Sequence, residues 1–142
     1  MGVIIAIISG ALMSIQGVFN SKVTEKTGIW TANTFVQFTA FLVCLLIWFL
    51  FERNSFGQIL QVQPKYMLLG GVFGAVITWT VIQSMERMGP AYAVLFIVVA
   101  QIIVAYLIEL LGLFGVEKQP LSWNKVLGAG IAIVGLVLFQ NK

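Results

Sequence analysis

The sequence predicts an all-α integral membrane bundle of five transmembrane helices, and three observations predict it. Hydrophobic residues make up 60% of the 142 residues, and charged residues only 9%. A soluble domain carries about 25% charged residues, so this chain lacks the polar surface to cover a water-facing exterior. The apolar residues gather into five runs, each near the ~20 residues that a bilayer core requires, with most charges in the breaks between them.

The first run spans about Val3 to Lys22. It has no basic segment ahead of it and is studded with Gln and Asn, so it reads as a retained helix and not a signal peptide. The others run from about Trp30 to Phe51, Tyr66 to Met85, Pro90 to Phe114 and Trp123 to Phe139. Between them stand "KVTEKTG", "ERNSFGQILQVQP", "ERMGP" and "VEKQPLS", all rich in turn formers and charges. Breaks this short make neighbouring helices antiparallel. Pro90 suits a first helical turn, where its missing N–H costs nothing. A short interfacial turn is expected around "FGQIL". Trp30, Trp48, Tyr66, Tyr92 and Trp123 fall near the ends of runs, as interfacial anchors do; Trp79 lies near mid-membrane. The whole chain, residues 1–142, reads as one transmembrane domain.

Several function classes drop out. The 8 basic and 5 acidic residues form no cluster or stripe, so no nucleic-acid footprint exists. The single Cys44 excludes an intrachain disulfide. There is no histidine, no metal-ligand cluster, no G-x-S-x-G and no phosphate-cradling loop, so neither an enzyme nor a cofactor is expected.

With five helices the termini lie on opposite sides of the membrane. The N-terminal side receives Arg53, Lys65, Lys118 and Lys125, and the other receives Lys22, Lys26, Arg87 and Lys142. Orientation normally follows a Lys/Arg excess on the cytoplasmic side, and four against four expresses no preference. Either the borders hide a small bias, or the chain inserts both ways. Two opposite copies would then build a ten-helix inverted repeat with its site near the midplane.

The phrases "GALMSIQGVFNSKVTEKTG", "LLGGVFGA", "RMGPAYAV", "AQIIVAYLIELLGLFGVEKQPLS" and "LGAGIAIVG" occur in order across nearly the whole chain. Together they resemble the five-helix YdcZ-type family of the bacterial drug/metabolite transporter superfamily. Glu109 departs from that pattern, where a shorter acid is expected. The resemblance implies half of a ten-helix transporter in the bacterial cytoplasmic (inner) membrane. It also implies pairing as a dual-topology homodimer or with an oppositely oriented paralogue, and it names no substrate.

The polar residues inside the runs are the candidate pathway. In the first helix Ser9, Gln16 and Asn20 share one stripe, with Met13. Gly10, Ser14, Gly17 and Ser21 form a second, about 100° round, of the small-residue kind that lets backbones approach. The first stripe serves either interhelical hydrogen bonds or a polar cavity. Gly70, Gly71, Gly74 and Ala75 repeat the packing pattern in the third helix, and Gly128, Ala132 and Gly135 in the fifth. Trp79 and Gln83 share a face, where the indole either packs or offers a platform to an apolar or cationic ligand.

In the fourth helix Gln101 lies near mid-membrane, with Glu109 two turns on. Glu109 is the only acid well inside a run, and an intramembrane carboxylate marks a functional hypothesis. Hydrocarbon favours its neutral form, the chemistry a proton-coupled exchanger needs. Alternatively it snorkels about 6 Å to the helix end and pairs with Arg53, Lys65 or Lys118.

Gln16, Asn20, Gln37 and Gln83 fall in one half of the bilayer and Glu109 in the other. Inverting a second copy would bring its Glu109 level with Gln16 and Asn20. The expected function is thus small-molecule transport by alternating access as an antiparallel dimer, with Gln16, Asn20, Trp79, Gln83, Gln101 and Glu109 along the pathway. A non-transporting subunit that needs an opposite partner, or a small channel, remains open beside it.

Overall fold

A computed structural model describes residues 1–140, without the side chain of Gln140; the placement of Lys142 in the charge tally lies outside the described residues. Among the described residues the fold is all-helical. The α-helices are α1 (Gly2–Thr27), α2 (Ile29–Ile47), α3 (Gly70–Met88), α4 (Pro90–Leu111) and α5 (Trp123–Gln140). Among the described residues, four helical stretches are long and apolar enough to cross a membrane: Gly2–Thr27, Ile29–Glu52, Lys65–Met88 and Pro90–Leu111. The apolar part of α5, Trp123–Phe139, is shorter. The chain divides into two compact units, Met1–Arg87 and the residues from Met88 onward, each described by itself.

In the first unit, one glycine separates α1 from α2. Gly28 has φ 87°, a conformation that side chains resist, and it serves both helices. Its N–H donates to Thr24 O (2.9 Å) and its carbonyl accepts from Ala32 N–H (3.0 Å), so α1 is closed and α2 opened at one residue. Helix α1 outruns the oily stretch by more than a turn. Lys22 and Glu25, paired at 2.6 Å with spacing i,i+3, support that extension.

Helix α2 continues into a wider turn, Trp48–Glu52, and ends where Arg53 takes φ 49°. The Arg53 guanidinium returns to Phe49 O (2.7 Å) and lies over the Phe49 ring. Trp48 donates its indole N–H to Asn54 O (3.0 Å) and packs on Phe56, fixing the exit of the chain. The stretch in which the sequence suggests a turn is a 3-10 helix, Phe56–Gln61, capped by the Ser55 hydroxyl, which accepts from Gly57 N–H. Lys65 donates to Leu60 O and closes the connection to α3.

In the second unit α4 and α5 form an antiparallel hairpin. Tyr92 at the start of α4 meets Phe139 at the end of α5 edge-on, at 5.5 Å. The other end closes through Gly112, at φ 68°, which caps α4 at Leu111, three residues short of the expected end. A short 3-10 turn, Leu113–Gly115, follows. The loop then folds back: Gln119 N–H donates to Glu109 O at 2.9 Å.

Little of this chain is buried. Among the described residues, Ala32, Ile82, Met85, Ala93 and Leu136 are the buried hydrophobic ones, while long rows of Ile, Leu, Val and Phe stand exposed. This is the surface of a protein whose solvent is hydrocarbon.

Candidate functional site

Within the first unit, α3 is held to the α1–α2 hairpin by polar side chains and one close backbone approach. Asn33, 2% exposed, donates its amide to Ala75 O at 2.9 Å. One turn on, Gln37 donates to the Thr78 hydroxyl at 3.3 Å, and Thr78 donates to Gly74 O. Trp30 and Trp79 stack with centroids 6.0 Å apart and planes within 10°. On α1, a Cβ at Gly17 would lie 2.8 Å from Met85 Sδ and closer still to Met85 Cε. Gly17 therefore lets the Met85 side chain of α3 approach the backbone of α1.

Two polar atoms in this unit are buried without a hydrogen-bond partner among the described residues, Thr24 Oγ1 and Asn33 Oδ1. Thr24 precedes Gly28 by four residues and Asn33 follows it by five, so both sit near the turn end of the hairpin.

The candidate residues do not share one environment. Asn20 is buried at 7% exposure, whereas Gln16 and Ser9, on the same predicted stripe, are exposed. Trp79 packs on Trp30 with 36% of its surface open, and Gln83 is half-buried. Asn33 is a contact that sequence reasoning missed. Its signal was available: Asn33 and Gln37 repeat on α2 the i,i+4 amide spacing of Gln16 and Asn20.

In the second unit the charged group of interest is a pair. Glu109 Oε2 and Lys125 Nζ lie 2.6 Å apart, across the α4–α5 hairpin. The cation expected to meet Glu109 was Arg53, Lys65 or Lys118; the structure supplies Lys125, from the first turn of α5. Lys125 Nζ also lies 5.4 Å from the centre of the Tyr106 ring, a cation–π distance. The Tyr106 hydroxyl accepts from Ser122 N–H (2.8 Å) and donates to Ser122 O (3.3 Å), which ties the start of α5 to α4.

Beneath the pair is a crevice of about 390 Å³, lined by Ile102, Ala105, Tyr106, Glu109, Lys125, Gly128 and Ala129. The α4 residues follow i, i+3, i+4, i+7 and those of α5 follow i, i+3, i+4, so one stripe of each helix forms a wall. Ala105, Gly128 and Ala129 are too small to fill the gap between them. Gln101, one residue from Ile102, is exposed and lies outside this lining.

Comparison with known families adds the remaining evidence. The family described as "Putative inner membrane exporter, YdcZ" matches residues 1–138. The comparisons with curated proteins and with solved structures return no match. The description is that of a transport protein and not of an enzyme. Its extent, with the apolar helices described above, makes this a multi-pass protein of the inner membrane. The chain belongs to the YdcZ family of inner-membrane exporters.

Proposed function

We propose that the chain is one half of a small-molecule carrier of the drug/metabolite type, working by alternating access as an antiparallel pair. The observation that supports this best is the exposure of Gln16 and Gln101 on helices long and apolar enough to cross a membrane. Hydrocarbon penalises an amide left without a partner. A second copy, inverted, would cover these positions and line an aqueous path with them. Inversion places Gln16 and Asn20 of one chain level with Glu109 of the other, so each half of the assembly holds amides from one chain and an acid from its mate.

Alternating access needs helices that can slide or rock, and the open glycine positions of α1, α3 and α5 suit this. Gly10, Gly70, Gly71, Gly130 and Gly135 have open space where a Cβ would stand, among the described residues. Proton coupling through Glu109 would be a second element. Lys125 is its counter-ion, 2.6 Å away.

The test is a pair of tandem fusions, each joining two chains so that every assembly holds one of each. Asn20→Ala and Glu109→Gln are placed on the same chain, with wild type as mate, or on separate chains. Shared sites predict different transport from the two arrangements, because one leaves an intact composite site and the other leaves none. Equal transport from both would count against shared sites.

A further inference from the structure

The α4–α5 crevice has two ends of different chemistry. One end carries a carboxylate and an ammonium in contact, Glu109 and Lys125, with the Tyr106 ring beside the ammonium. The other end is Ile102, Ala105, Gly128 and Ala129. Ile102 precedes Glu109 by seven residues, so the apolar part extends about 10 Å along the helix. Its volume, about 390 Å³, lies within the range of small-molecule sites.

The paired charge selects what can enter. The Glu109 and Lys125 side chains are 41% and 50% exposed, so the pair can open towards a ligand. A simple cation that takes Glu109 strips Lys125 of its counter-charge, and a simple anion does the reverse. Either leaves a charge uncompensated at the edge of hydrocarbon. A molecule that carries both an amine and an anionic group satisfies both: its amine meets the carboxylate and its anion meets the ammonium. The apolar walls then take a tail attached to that head.

We propose that the Glu109–Lys125 crevice is a binding site for a zwitterionic amphiphile, one bearing a primary amine and an anionic group on an apolar body. That chemistry has two sources, the head of an ethanolamine phospholipid and a free amino acid with an apolar side chain. The site is complete within one chain, so it stands whether or not the antiparallel pair forms.

The test is a binding titration on the full purified chain in a neutral detergent, followed by tryptophan fluorescence, since Trp123 opens α5 beside this end. The probes are lysophosphatidylethanolamine, L-leucine, lysophosphatidylglycerol as the anion and dodecylamine as the cation. At least one zwitterion should bind about tenfold or more tightly than either singly charged probe. Binding of the lipid without leucine assigns a lipid source, and binding of leucine assigns a solute.

Lys125→Gln should move the preference to dodecylamine, and Glu109→Gln should move it to lysophosphatidylglycerol. The exchange Glu109→Lys with Lys125→Glu should restore preference for the zwitterion, and it keeps the ion pair should a single variant fold poorly. Equal affinity for all four probes, binding of neither zwitterion, or a preference that the two single substitutions leave unmoved would overturn the proposal.

Discussion

Gly10 and Gly17 lie on one stripe of α1, seven residues apart, yet the structure gives them opposite sensitivities. At Gly10 no atom lies within 4 Å of an added Cβ among the described residues. Substitution there gains helix propensity, up to about 1 kcal/mol for Ala. At Gly17 an added Cβ meets the end of Met85, a residue only 4% exposed, and Val81 Cγ1 stands 3.5 Å away. The thioether is flexible, so Gly17→Ala is absorbed by a rotamer change that offsets much of the propensity gain. Gly17→Leu cannot be absorbed, and overpacking of this kind costs about 1–3 kcal/mol.

The double variant Gly17→Leu with Met85→Ala should recover part of that loss, because the leucine fills the space the methionine leaves. A coupling of about 0.5–3 kcal/mol is expected for residues in direct contact. The assay is reversible unfolding in mixed micelles at rising dodecyl sulfate fraction, with Gly10→Leu as the matched control. Equal destabilisation by Gly10→Leu and Gly17→Leu, or strict additivity in the double variant, would refute the α1–α3 contact.

Three further outcomes follow from the same geometry. Tyr106→Phe removes both bonds to Ser122, so the Ser122 amide should exchange faster, with a loss near 1 kcal/mol in the α4–α5 hairpin by unfolding. Asn33→Val removes the bond to Ala75 O, worth ~0.6 kcal/mol in membranes, but also the unpaired Oδ1, so stability should change by less than about 1 kcal/mol. Asn33→Asp should instead destabilise strongly in the same assay, because it buries a charge and sets a carboxylate oxygen against the Ala75 carbonyl.

The helical class was readable because hydrocarbon demands it: long apolar runs have no other way to satisfy their backbones in a membrane. Helix ends were less readable, because hydropathy marks the edge of the oil and not the end of the hydrogen-bond ladder. Thus α1 continues past Lys22 on the Lys22–Glu25 pair until Gly28 stops it, and α4 halts at Gly112 while the sequence is still apolar to Phe114. The special nature of Glu109 was legible from its isolation among apolar residues. Its partner was not, because Lys125 is sixteen residues on, and only the fold-back of the loop brings it near. The first polar stripe of α1 split for a related reason. Helical spacing fixes which residues share a face, but Asn20 is covered and Gln16 is not, and that depends on neighbours a single helix does not reveal.

Pairing of this chain with its own inverted copy, as proposed, requires that it insert in both orientations. Its most direct measurement is the side on which the C-terminus lies when the chain is expressed alone, read by a C-terminal tag that one reporter detects in the cytoplasm and another outside it. Dual insertion gives signal from both sides in comparable amounts. Signal from one side only would contradict it.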